Sequence, residues 1–141
     1  MELLLANDLN ELERLSKSLE TFAKKEGLDS AVAYKLLVCL DELVTNVISY
    51  GGPRSFEERT RVSVEVAQGK LHVCIEETGA AFNPLLREDP DITADIDSRG
   101  IGGLGILLVK KMMDCVEYER RGNRNVLRMT KNLVSEAKDG N

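Results

Sequence analysis

Glycines at 100, 102, 103 and 105 crowd into Arg99–Asp114, RGIGGLGILLVKKMMD, and an apolar helical pattern follows them without a break. This is the layout of an anion-binding loop that opens a helix, although glycine-rich helix entries also occur in ordinary loops. Glycines let backbone N–H groups come close to a phosphate, and the first turn of the following helix adds unpaired N–H groups and its positive dipole end. Glu42 and Asn46 form a second pair, at i and i+4 of one helical pattern. A carboxylate and an amide oxygen then converge on one point, which suits a general base beside a magnesium ligand, or else a polar face that meets solvent. Glu76 and Glu77 precede Thr78-Gly79-Ala80-Ala81-Phe82-Asn83-Pro84. Acids at a strand end before glycine make either a solvated turn or a carboxylate placed to meet a ligand.

Other chemistries lack their context. Gly100, Gly102 and Gly105 satisfy G-x-G-x-x-G, but the polar, acidic DPDITADIDSR precedes them where a dinucleotide-binding unit needs a strand. No G-x-x-x-x-G-K-[ST] occurs. His72, the only histidine, alternates to the side opposite Leu71, Val73 and Ile75, so a surface residue is expected rather than a metal ligand or triad member. Cys39, Cys74 and Cys115 lie far apart without C-x-x-C spacing, which suits reduced, mostly buried thiols.

A net charge of −5 argues against generic binding to nucleic acid or an anionic membrane and favours protein or small-molecule partners. The opening MELLLANDLNE has no basic segment and only a short apolar run, so no signal peptide or membrane span is expected, and a cytoplasmic location follows. With 141 residues, 43% hydrophobic and 30% charged, the chain suits one soluble domain with a single core. Residues 1–133 are expected to form that domain and residues 134–141 a polar tail.

The elements that must position these residues follow from periodicity. Met1–Ala6 reads as a short strand, with Asn7 or Asp8 able to cap a helix from about Leu9 to Lys25. Gly27 supplies a left-handed stop, and Asp29 or Ser30 caps a second helix running to Tyr50. On that helix Leu36, Leu37, Leu40, Leu43, Val44, Val47 and Ile48 fill one arc, while Glu42, Asn46 and Ser49 gather opposite. Arg61–Ala67 and Leu71–Glu76 alternate about a tight turn and make a hairpin. Leu85–Arg99 is a long polar loop of the kind that serves as a lid. Leu104 to Met113 reads as a helix with its methionine pair as core filler, and Cys115–Arg120 with Asn125–Lys131 as a last hairpin.

In order, the elements make an α+β, two-layer sandwich, with helices packed on one face of a mixed or antiparallel sheet. This order and three motifs, DELVTN, EETGAAFNP and IGGLGILLVKKMMDCVEYERRGNRNVL, resemble the ATP-binding (Bergerat) fold shared by histidine kinases, type II topoisomerases and mismatch-repair ATPases. Within it, the chain is similar over nearly its whole length to the small stand-alone anti-sigma factor serine kinases. The resemblance implies Glu42 as general base and Asn46 as ligand of Mg2+. Glu77 stands where the family's Asp hydrogen-bonds the adenine amino group, Gly79 where the motif has its first glycine, and Ala81 where a second glycine or a proline is usual. Gly102, Gly103, Leu104 and Gly105 fall in the phosphate-contacting motif, and Arg99 where a lid cation reaches the γ-phosphate. Asn125 stands near a position usually held by Thr behind the adenine. On this resemblance Glu77→Asp is expected to keep or tighten nucleotide binding.

The implied activity is phosphoryl transfer from Mg-ATP to a serine of a protein partner, an antagonist domain, and/or the sequestering of a sigma factor, in proteins that commonly pair as homodimers. The alternative is a non-catalytic binding module whose nucleotide is structural or lost. A histidine kinase is disfavoured, since no dimerisation helix carries a phosphoacceptor histidine.

Overall fold

The computed structural model describes residues 1–50, 59–81, 83, 85 and 103–133. The chain runs β1 (Glu2–Ala6), α1 (Glu11–Glu26), α2 (Ser30–Tyr50), β2 (Arg59–Ala67), β3 (Lys70–Thr78), α3 (Gly103–Met112), β4 (Cys115–Arg121) and β5 (Arg124–Asn132). The strands form one sheet in the order β1-β2-β3-β5-β4. Every pairing is antiparallel. Of the two sheet types expected from sequence, the antiparallel one is therefore found.

Alternation decides the two faces of the sheet. Leu3, Val62, Ile75, Leu127 and Tyr118 stand in one row across the five strands, and Val64, Val73, Met129 and Val116 in the next. These side chains join Leu15, Leu19 and Phe22 of α1, Leu36, Cys39, Leu40, Leu43 and Val44 of α2, and Ile106 and Val109 of α3 in one core. Met112 and Met113 belong to it as the filler expected of them. The other face of the sheet is polar, with Arg61–Glu2 and Arg124–Glu76 pairs at 2.6 Å and Arg128–Glu119 at 2.8 Å. The Arg128 hydrogen bond holds the Glu119 carboxyl below its ordinary range.

Turn chemistry closes the elements. Gly27 takes φ 63° and ψ 36°, while the Leu28 N–H reaches the Ala23 carbonyl at 3.0 Å, a left-handed helix stop. Asp29 caps α2 through its carboxylate, which accepts the Ala31 N–H at 2.8 Å. Gln68 and Gly69 both have positive φ, 54° and 73°, as a two-residue hairpin turn requires.

Some expectations need correction. Leu9 lies ahead of α1 and is 51% exposed. Asp8 does not cap α1: its carboxylate accepts the Asn10 N–H at 2.9 Å, one turn early, and Asn10 at the N-cap makes no side-chain cap. Cys115 is exposed, since β4 is an edge strand, whereas Cys39 is buried. His72 is half-buried on the polar face rather than fully exposed. The lid loop falls largely outside the described residues. Among the described residues, no helix is long and apolar enough to cross a membrane.

Candidate functional site

The polar face of α2 is not plain solvent surface. Tyr34, Lys35, Asp41 and Ser49 are exposed, while Glu42 and Asn46 are half-buried. The Asn46 Oδ1 is shielded from solvent and has no hydrogen-bond partner among the described residues. A buried acceptor without a donor is costly in water-excluded surroundings, so a cation at this point would satisfy it. Among the described residues no cluster of three or more His, Cys, Asp or Glu could form an all-protein metal cage. A lone amide oxygen nevertheless fits magnesium, which keeps several waters and takes other ligands from substrate phosphates.

Across the sheet, register builds a second polar feature. Thr60 on β2 pairs with Glu77 on β3, Glu77 with Asn125 on β5, and Asn125 with Arg120 on β4. Among the described residues, Thr60, Glu77 and Asn125 are the buried polar ones of the core face, 1%, 8% and 6% exposed. Glu77 thus lies inside β3, past the Glu76 end expected from sequence, because Leu71, Val73, Ile75 and Glu77 continue one alternation.

The turn after β3 is fastened to the β4–β5 hairpin. The Gly79 N–H donates to the Asn123 carbonyl at 3.1 Å, and the Arg120 guanidinium donates to the Gly79 carbonyl at 2.6 Å. The Asn125 amide donates to Glu77 Oε1 at 2.8 Å and to the Ala80 carbonyl at 2.9 Å. Ala81, next along, is exposed. Tyr118, Arg120 and Asn123 were not singled out by sequence. Counting the register of the last hairpin back from Asn125 would have placed Arg120 opposite it.

Helix α3 begins at Gly103, inside the glycine run, so the backbone N–H groups of Gly103, Leu104 and Gly105 form its first turn. No acid of the helix itself occupies that turn. At the other end, Lys131 Nζ donates to the Met112 carbonyl at 3.0 Å, where a cation is favoured. Arg99 and Gly102 lie outside the described residues.

The model of the histidine kinase-like ATPase domain matches residues 5–131. The chain belongs to the histidine kinase-like ATPase family. Relatives of that family include the serine/threonine-protein kinase BtrW of Bordetella bronchiseptica, 24% identical over 119 residues and matched over 84% of each chain. The serine-protein kinase RsbW of Listeria monocytogenes is 25% identical over 104 residues, 71% of this chain and 66% of the relative. Among solved structures, the RsbU and RsbW domains of Rv1364c from Mycobacterium tuberculosis align over 94% of this chain with a TM-score of 0.66 at 13% identity. This chain spans 32% of that longer one. The catalytic domain of histidine kinase ThkA aligns over 94% of both chains, with a TM-score of 0.53 at 20% identity. These structural likenesses carry the fold, helices on an antiparallel sheet, which is the Bergerat-type architecture expected from sequence.

Proposed function

We propose that residues 1–133 act as one nucleotide-binding unit, a serine kinase that transfers the γ-phosphoryl of Mg-ATP to a protein partner. The observation that carries the reading is the Glu42–Asn46 face of α2, half-buried where amphipathic logic would leave it in water, with a shielded acceptor on Asn46. Asn46 Oδ1 would hold magnesium, which when bound neutralises the phosphate oxygens and orients them. The first-turn N–H groups of α3 would meet the phosphates, and Arg99 and Gly102 are proposed beside them. Glu77 would accept a hydrogen bond from the adenine amino group, on a turn held by Gly79 and followed by Ala81. Glu42, one helical turn before Asn46, would take the proton of the attacking serine hydroxyl.

The curated kinase relatives support a protein serine as the acceptor. The partner class we propose is an antagonist domain and/or a sigma factor, met in the cytoplasm. Glu77 and Ala81, where the family pattern has Asp and Gly or Pro, favour the second reading of a non-catalytic module that grips such a partner. Transfer of radiolabel from ATP onto a co-purified protein separates the two. Serine-linked label on the partner supports the kinase, and nucleotide binding without any transfer supports the module.

A further inference from the structure

We infer that Asn125 is a positioning residue that holds the Glu77 carboxylate, and that Glu77 and Asn125 act as a matched pair. A side-chain amide has two donor hydrogens and two acceptor lone pairs. Asn125 spends both donors on Glu77 Oε1 and the Ala80 carbonyl, 2.8 and 2.9 Å away. Its Oδ1 accepts from the Tyr118 hydroxyl and from Arg120 Nη1, the latter at 3.2 Å. Among the described residues, these four bonds already match the two donor hydrogens and two lone pairs of the group, which points to a role that does not include a direct bond to a nucleotide. The role expected from sequence, a contact behind the adenine, becomes an indirect one.

The geometry also links two departures from the family pattern. Glu77→Asp removes one methylene and draws the carboxylate back by about 1.5 Å, a C–C bond length, which takes it out of reach of an amide now 2.8 Å away. Asn125→Thr leaves one hydroxyl donor where two are in use. Each single change therefore strands a buried partner, while the two together remove the long carboxylate and the two-donor amide at once. This reverses the expectation that Glu77→Asp alone keeps or tightens binding.

The inference rests on Glu77 as the adenine-reading carboxylate, so the test separates that reading from the pairing. Affinities for Mg-ADP and Mg-IDP, which carries a carbonyl in place of the amino group, are measured for the wild type, Glu77→Asp, Asn125→Thr and the double variant, together with urea unfolding of each without nucleotide. The wild type should prefer ADP at least tenfold. Asn125→Thr should shrink that preference toward one, and the double variant should restore it. A role confined to stability would weaken both nucleotides alike and leave the ratio unchanged, and a direct contact from Asn125 would leave the double variant unrestored. Either result overturns the inference. If the wild type binds neither nucleotide, the functional reading fails, and unfolding decides the pair: single changes whose effects simply add overturn it, and a double variant more stable than the sum supports it.

Discussion

Glu42 and Asn46 stand four residues apart on α2, both half-buried, at the edge of the helix face that packs Cys39 and Leu43 into the core. Side chains so spaced are neighbours on a helix surface, which would set the proposed proton acceptor beside the proposed metal ligand. Glu42→Gln keeps size and place but removes the base, so phosphoryl transfer should fall by about 10²–10⁴-fold with nucleotide affinity retained. Single-turnover transfer beside calorimetric affinity checks this. Equal transfer rates in variant and wild type would remove Glu42 from the base role.

The pairing of Thr60 with Glu77 leads to a prediction about stability. Thr60 is 1% exposed, and its hydroxyl has no hydrogen-bond partner among the described residues. Thr60→Val keeps the shape and removes the polar group, so it should stabilise the nucleotide-free protein by about 1 kcal/mol. A rise in the urea midpoint at constant slope is the expected observation. A fall of that size would mean the hydroxyl is satisfied in solution.

Much of this arrangement is legible in sequence because it rests on periodicity. Alternation in Val62, Val64 and Val66 and the apolar arc of α2 are one-dimensional signals, and Gly27 announces its left-handed stop. The clamp around Asn125 is not such a signal. Tyr118 and Arg120 look like ordinary residues of a charged edge strand, and they become neighbours of the candidate site only when the hairpin register sets Arg120 against Asn125 and β5 sets Asn125 against Glu77. Leu9 departs from the helical pattern for a related reason. Its spacing fits the helix, but Asp8 holds a turn ahead of Glu11 and leaves Leu9 in solvent.

The cysteines should separate by environment. Burial pushes the Cys39 thiol up to about 11, and Cys115 is exposed. A thiol reagent at neutral pH should modify Cys115 rapidly and Cys39 only on unfolding, since the thiolate is the reacting form. A raised folded-state value favours the protonated native protein, so this contribution to stability is complete below the ordinary value of 9.0 and is lost as pH climbs toward about 11. Cys39→Ala should flatten that part of the stability profile, as urea midpoints between pH 8 and roughly 11 would record.

Calorimetric titration of the wild-type protein with ADP, with and without magnesium, and in parallel on Asn46→Ala, tests the central claim most directly. The account predicts binding by the wild type that strengthens at least tenfold when magnesium is added, and an Asn46→Ala variant that loses the magnesium dependence. No heat at millimolar ADP with magnesium, or equal affinity with and without the metal in both proteins, would contradict it.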